Sequence, residues 1–185
     1  MARQSRIRYD TPIFAGFTLA SSRINNERTD AAMYWGGQGY GVKAAAAAAV
    51  AYPHLVKDSY GRQFGVQKDG SFSVLHNNTG LNLTLASGVL VVDNQGDVRN
   101  QFVKLGWATT LFDFGATAFG LAYTRSTNLP ADNDIGTSAS AAVVQAFDKY
   151  GTELYLQCRR YSLDRSTGAK VEDIDVVTLG SRVKF

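Results

Sequence analysis

The sequence predicts an all-β fold, an antiparallel transmembrane β-barrel of about eleven strands. Three observations predict it. The last ten residues alternate with a period of two, placing Val177, Leu179, Ser181, Val183 and Phe185 on one face and Thr178, Gly180, Arg182 and Lys184 on the other. Runs of roughly 8–12 residues with this alternation recur along the whole chain between turn signals. The chain also stops on an apolar aromatic residue with no polar tail, which a soluble sheet does not need and a barrel strand uses at the membrane interface.

A soluble sheet with one face on a core gives the same alternation, so composition has to be weighed. At 185 residues the chain has the size of one domain, and it holds 18 Gly, 10 Phe and 9 Tyr against 3 Pro and 2 Met. Mean hydropathy is −0.14, and no apolar run approaches the ~20 residues of a transmembrane helix. Barrel strands average to near-neutral hydropathy, so that value does not exclude them. A single cysteine, Cys158, excludes an internal disulfide. The formal charge of +3, without a Lys/Arg cluster, argues against nucleic acid as a partner.

In chain order, Arg6 and Arg8 alternate with Ile7 and Tyr9, Asp10-Thr11-Pro12 is the expected turn, and Phe14 to Ser22 runs back. A polar loop over Asn25 to Asp30 leads to a strand around Ala31–Gly36, a Gly37-Gln38-Gly39 turn and a return strand around Tyr40–Tyr52. That strand contains six alanines, Ala44 to Ala49, and a short helix is the alternative there. Gly39 and Gly41 before the run, Val50 and Tyr52 after it, and the lack of a capping residue favour the strand. The polar loop Pro53 to Lys68 precedes the pair Ser71–His76 and Leu81–Val92, joined across Asn77 to Gly80. After a loop over Asp93 to Asp97, Gln101–Leu111 and Gly115–Thr124 join at Phe112-Asp113-Phe114. Arg125 to Asp134 loops back, Ser138–Phe147 and Thr152–Tyr161 flank Asp148 to Gly151, and Leu163 to Glu172 leads to the final strand.

Charges within these strands fall opposite the apolar residues. Arg6, Arg8, Lys43, Lys104, Glu153, Arg159, Arg182 and Lys184 all sit in the polar phase, as does Gln157. Arg or Lys facing lipid at mid-membrane costs about 2–4 kcal/mol, so a barrel requires this arrangement. Arg23, Arg160 and Asp175 are out of phase, each at the loop end of its strand, where that cost is near zero and lipid headgroups can pair with it. Aromatics gather near strand ends: Tyr9, Phe14, Phe17, Trp35, Tyr40, Phe114, Tyr150, Tyr155 and Phe185 toward the short turns, Tyr52, Tyr123 and Tyr161 toward the loops. Two interfacial girdles have this form.

Bacterial single-chain barrels have an even number of strands, with short periplasmic turns and long outer loops. Eleven strands counted back from a last strand ending in the periplasm put Met1 outside the cell. The first residues, Met1-Ala2-Arg3-Gln4-Ser5-Arg6, carry no apolar export region and no cleavage site. Both observations lead to the expectation that residues 1–185 form a barrel domain lacking its N-terminal part.

Three segments carry a family resemblance: Arg6-Ile7-Arg8-Tyr9-Asp10-Thr11-Pro12-Ile13-Phe14-Ala15-Gly16-Phe17; Val143-Val144-Gln145-Ala146-Phe147-Asp148-Lys149 with Thr152-Glu153-Leu154-Tyr155-Leu156; and the Val183-Lys184-Phe185 terminus. In these the chain resembles the Gram-negative general porins, most closely those of alphaproteobacteria. The resemblance implies the C-terminal part of a sixteen-stranded barrel, with the first segment following the inward-folded constriction loop. It implies an integral outer-membrane protein, a homo-trimer when complete, in contact with outer-membrane lipid and lipopolysaccharide. The function it implies is passive diffusion of small hydrophilic solutes and ions through a water-filled pore, with no cofactor and no metal. Arg6, Arg8, Lys43, Lys104, Glu153, Arg159, Arg182 and Lys184 are then the pore-lining candidates, with Arg6 and Arg8 foremost. Seven cations against one carboxylate favour anions.

The alternatives are a structural or adhesion barrel without a pore, a non-functional porin fragment, and an outer-membrane enzyme. For the last, only His54 and His76 could serve as bases. His76 adjoins a short turn at the periplasmic end, and His54 lies in a loop beside Pro53 with no serine or acid partner in a fixed strand register, where a lone histidine is usually solvated. No metal-ligand spacing, phosphate loop or nucleophile elbow occurs, and Cys158 lies in the lipid-facing phase as a small apolar side chain. A non-enzymatic role is the expectation.

Overall fold

The computed structural model describes residues 5–24, 28–52, 64–93, 96–129, 131–168 and 170–183. Eleven antiparallel strands form one sheet in strict sequence order: β1 (Arg6–Asp10), β2 (Phe17–Ile24), β3 (Arg28–Gly39), β4 (Val42–Tyr52), β5 (Phe64–His76), β6 (Leu81–Val92), β7 (Val98–Phe112), β8 (Gly115–Thr127), β9 (Ile135–Phe147), β10 (Thr152–Asp164) and β11 (Ile174–Val183). Each packs on its sequence neighbours, and β1 and β11 are the two edges. From β3 onward every strand has the ~9–11 residues that a tilted strand needs to cross a bilayer.

The connections alternate between the two ends of the sheet. At one end lie the Ala15–Gly16, Tyr40–Gly41 and Asp113–Phe114 turns, residues 77–80 and a single 3-10 turn at Asp148–Tyr150. At the other lie the described residues of the longer loops, 93, 96–97, 128–129, 131–134, 165–168 and 170–173.

Several strand ends differ from expectation. The first turn is not Asp10-Thr11-Pro12. Asp10 pairs with Ala20 and the Thr11 N–H donates to the Leu19 carbonyl at 2.9 Å, so pairing continues to a two-residue turn between Phe14 and Phe17. Ala15 at φ 49° and Gly16 at φ 83° take the left-handed conformations of a type I′ hairpin, whose twist matches the strands. The second turn is likewise Tyr40–Gly41, both at positive φ, and Gly37 to Gly39 remain in β3. Strand pairing extends into residues expected as loop, Arg28 to Asp30, Phe64 to Lys68, Arg125 to Thr127 and Leu163 to Asp164, and takes in residues between the expected loops and strands, Val98 to Asn100, Ile135 to Thr137, Ser162 and Ile174 to Asp175. Their polar side chains look like loop in sequence, while the backbone ladder runs through them regardless of side-chain type.

The alanine run is strand. Ala46 lies between Trp35 and Phe72, and Ala47 between Tyr34 and Ser71, so small side chains on β4 make room for rings on both neighbours.

There is little interior. Ala20 and Val92 are the only buried large or small aliphatic residues among those described. One face of the sheet instead displays large apolar side chains, Leu121 at 60% exposure and Leu179 at 77% among them.

Candidate functional site

Directly paired residues in an antiparallel ladder share a face, so the register assigns every strand residue to one side. Followed across all eleven strands, it puts Arg6, Arg8, Lys43, Lys104, Glu153, Arg159 and Arg182 on one face. Lys184, with Phe185, lies outside the described residues. The opposite face carries Leu19, Met33, Phe72, Leu85, Leu105, Leu121, Leu154, Leu156, Val177 and Leu179, and Cys158 with them.

The charged face also holds three carboxylates absent from the sequence expectation, Asp10, Asp30 and Asp69. Two of them change the electrostatics. Arg6 donates through Nε to Ser22 Oγ at 2.9 Å and reaches Asp30 Oδ2 at 3.2 Å, while Ser22 Oγ donates to the same carboxylate at 2.6 Å. Arg8 grips Asp10 with two N–H groups, at 2.8 and 2.6 Å. Across β10 and β11, Arg182 Nε donates to Glu153 Oε2 at 2.9 Å. Arg6 and Arg8, foremost in the sequence, are therefore each matched by a carboxylate.

Lys43, Lys104 and Arg159 form no ion pair among the described residues. Two of these share one transverse row, Thr84–Lys104–Ala122–Ser140–Arg159, in which small residues separate the cations by three strand spacings, about 14 Å. Arg159 donates to the Tyr161 hydroxyl at 3.2 Å and lies 5.7 Å from that ring's centre, which holds the guanidinium over the sheet. Tyr161 and Tyr155 are thus on the charged face, Tyr155 lying over Gly180, and belong to no outward girdle.

Several of the other aromatics at the short-turn end meet ring to ring. Phe112, Phe114 and Phe147 stack in sequence with centroids 5.0 Å apart, Trp107 stacks on Phe119 at 5.7 Å, and Phe17 meets Trp35 at 6.3 Å. The Trp107 indole N–H donates to the Thr79 carbonyl at 3.0 Å, which keeps its polar edge at the turn. His76 also serves that turn, its Nδ1 2.8 Å from Thr79 Oγ1. His54 lies outside the described residues. Among the described residues no three His, Cys, Asp or Glu side chains are grouped as metal ligands.

At the long-loop end, three connections are tied together. Asp134 is fully buried and accepts from the Ser166 N–H at 2.8 Å and the Ser166 hydroxyl at 3.0 Å, with Arg165 Nε 3.6 Å from its other oxygen. The Ser166 backbone donor holds the Asp134 carboxyl below the ordinary aspartate range, with the Ser166 hydroxyl and Arg165 adding to it against the effect of burial. Asn128 donates to the Asp97 carbonyl at 2.7 Å, and Asp132 accepts from the Gly96 N–H at 3.0 Å. No sequence pattern announced this joint, since its members are ordinary loop residues far apart in the chain.

No family model and no curated protein matches the chain by sequence. Among solved structures it is similar to in-vitro folded OmpT, an outer membrane protein of Vibrio cholerae, with a TM-score of 0.61 and 12% identity over 95% of this chain and 61% of that one. A loop L8 deletion mutant of the same protein gives 0.64 and 11% over 95% and 61%. The anion-selective porin from Comamonas acidovorans gives 0.61 and 15% over 97% and 59%. The chain has the all-β fold of these outer-membrane barrels and spans about three-fifths of their length.

Proposed function

We propose that the chain is part of an outer-membrane porin of the general porin type, whose charged face lines a water-filled pore for passive diffusion of small hydrophilic solutes and ions. One observation carries this reading. Charged residues in the middle of the strands lie on one face, while the other face leaves large apolar side chains uncovered by protein. Water on the first face and lipid on the second satisfy both. The sheet edges and the coverage of the neighbours support further strands completing the wall, and the family resemblance supports a homo-trimer in lipopolysaccharide-bearing membrane.

Since Arg6, Arg8 and Arg182 are paired, the anion preference rests on Lys43, Lys104 and Arg159. The test is ion conductance of the complete protein in planar bilayers. Lys104→Glu with Arg159→Glu is expected to reverse an anion preference, whereas Arg8→Gln, which also leaves Asp10 unpaired, moves selectivity less. A folded protein that conducts nothing would overturn the pore and leave a structural or adhesion barrel.

A further inference from the structure

The apolar face carries a feature that the pore leaves unused. Arg23, Lys68, Arg99, Arg125 and Arg160 all occupy its outward phase, each near the long-loop end of its strand. Arg160 is bound in a two-point ion pair with Asp175, at 2.7 and 2.8 Å. Lys68, Arg99 and Arg125 form a group. Lys68 is opposite Val89, which is opposite Arg99, two strand spacings or about 10 Å away. Arg125 is opposite Gln101 and so lies diagonal to Arg99, about 7–8 Å across the ladder. All three are exposed and form no ion pair among the described residues.

What lies beneath them in the same phase is apolar. Arg125 is followed down β8 by Tyr123, Leu121 and Phe119, and Arg99 and Gln101 down β7 by Val103, Leu105 and Trp107. Beside these residues runs a groove of about 720 Å³, floored by Ala139, Ala141 and Cys158 and walled by Leu121, Tyr123 and Val177, with the neutralised Arg160–Asp175 pair at its loop end. A cationic rim above an apolar channel matches an amphiphile with an anionic head.

We propose that Lys68, Arg99 and Arg125 bind the phosphate groups of an anionic membrane lipid whose acyl chains lie along the groove below. Forked guanidinium donors take phosphate oxygens two at a time, and the lysine adds a compact charge. The proposal rests on the reading that this face meets lipid.

The test uses the complete protein in phosphatidylcholine bilayers with a trace of spin-labelled phosphatidylglycerol or spin-labelled phosphatidylcholine, measuring the motionally restricted fraction of each. Phosphatidylglycerol is expected in excess. Arg99→Gln with Arg125→Gln should lower that excess about fivefold per arginine, with restricted phosphatidylcholine unchanged. Arg23→Gln, on distant β2, should leave it intact, and Lys at both positions should restore most of it. Equal restriction of the two lipids by the unaltered protein would overturn the proposal and leave the membrane reading standing. Loss of the excess on adding inorganic phosphate would replace the lipid site by an ion site. No restricted component of either lipid would remove both the site and the membrane reading.

Discussion

Leu121→Arg distinguishes a lipid-facing surface from a water-facing one. Leu121 is six residues from either end of β8 (Gly115–Thr127), and its cross-strand neighbours are Leu105 and Ala141. At ~3.3 Å per residue and a tilt of ~40°, six residues project to about 15 Å, past half the ~25 Å apolar band of an outer-membrane barrel. The side chain therefore lies near the midplane with no carboxylate beside it. Arginine there should cost about 2–4 kcal/mol of folded stability. Were the face in water, a residue 60% exposed would change stability by no more than ~0.5 kcal/mol. The assay is reversible urea unfolding of the complete protein from phosphatidylcholine vesicles, followed by tryptophan fluorescence. Thr124→Arg, three residues along and on the charged face between Phe102 and Ser138, is the control and should cost under ~1 kcal/mol. A Leu121→Arg protein as stable as the parent, or equal losses at both positions, would refute the assignment of the apolar face to lipid.

Two further outcomes follow from the turns and loops. Because the Asp134 carboxyl is held below its ordinary value in the folded protein, its stabilisation of the loop joint is fully present above about pH 4 and is lost as pH falls through the lower folded value. Amide protection factors at residues 128–129, 131–134 and 165–168, corrected for intrinsic exchange, should stay flat from neutral pH downward and then fall in acid, whereas Asp134→Asn should be less protected at every pH, by about 1–3 kcal/mol, without the acid step. Gly80 sits at φ +70° where a Cβ would run into the Ala108 carbonyl oxygen, and its own carbonyl accepts from the Ala108 N–H at 3.0 Å, so Gly80→Ala should destabilise the protein by at least ~2 kcal/mol in the same unfolding assay.

The strand order and the two faces were legible because both depend on period-two alternation, which is strong in β8, β10 and β11. Strand ends were not, because they depend on which residues a partner strand offers. Arg125, Ser126 and Thr127 form a plausible loop alone and become strand opposite Gln101, Asn100 and Arg99. The carboxylates were hidden for a related reason. Asp10 stands beside Pro12, and Asp30 ends a polar run, so each looks like a turn residue until the register sets it against Arg8 or Arg6. Phase alone assigns a face to a charge and cannot say whether a countercharge on the next strand cancels it. Tyr155 and Tyr161 show the same limit: nearness to a strand end suggested a girdle, while their pairing with Gly180 and Ile174 puts them on the other side.

The strict neighbour-to-neighbour order has a kinetic consequence. Among the described residues no ladder pair joins residues much more than a hairpin apart: Val42 to His76 and Thr152 to Val183 are the widest, so loop closure there never spans a large part of the chain. The sheet can grow by adding one hairpin to a finished edge. At each stage the backbone groups lacking partners are confined to the two outermost strands, so the penalty of carrying them into hydrocarbon stays constant as the sheet widens. Assembly at a membrane surface then meets a barrier set by one hairpin rather than by the whole wall.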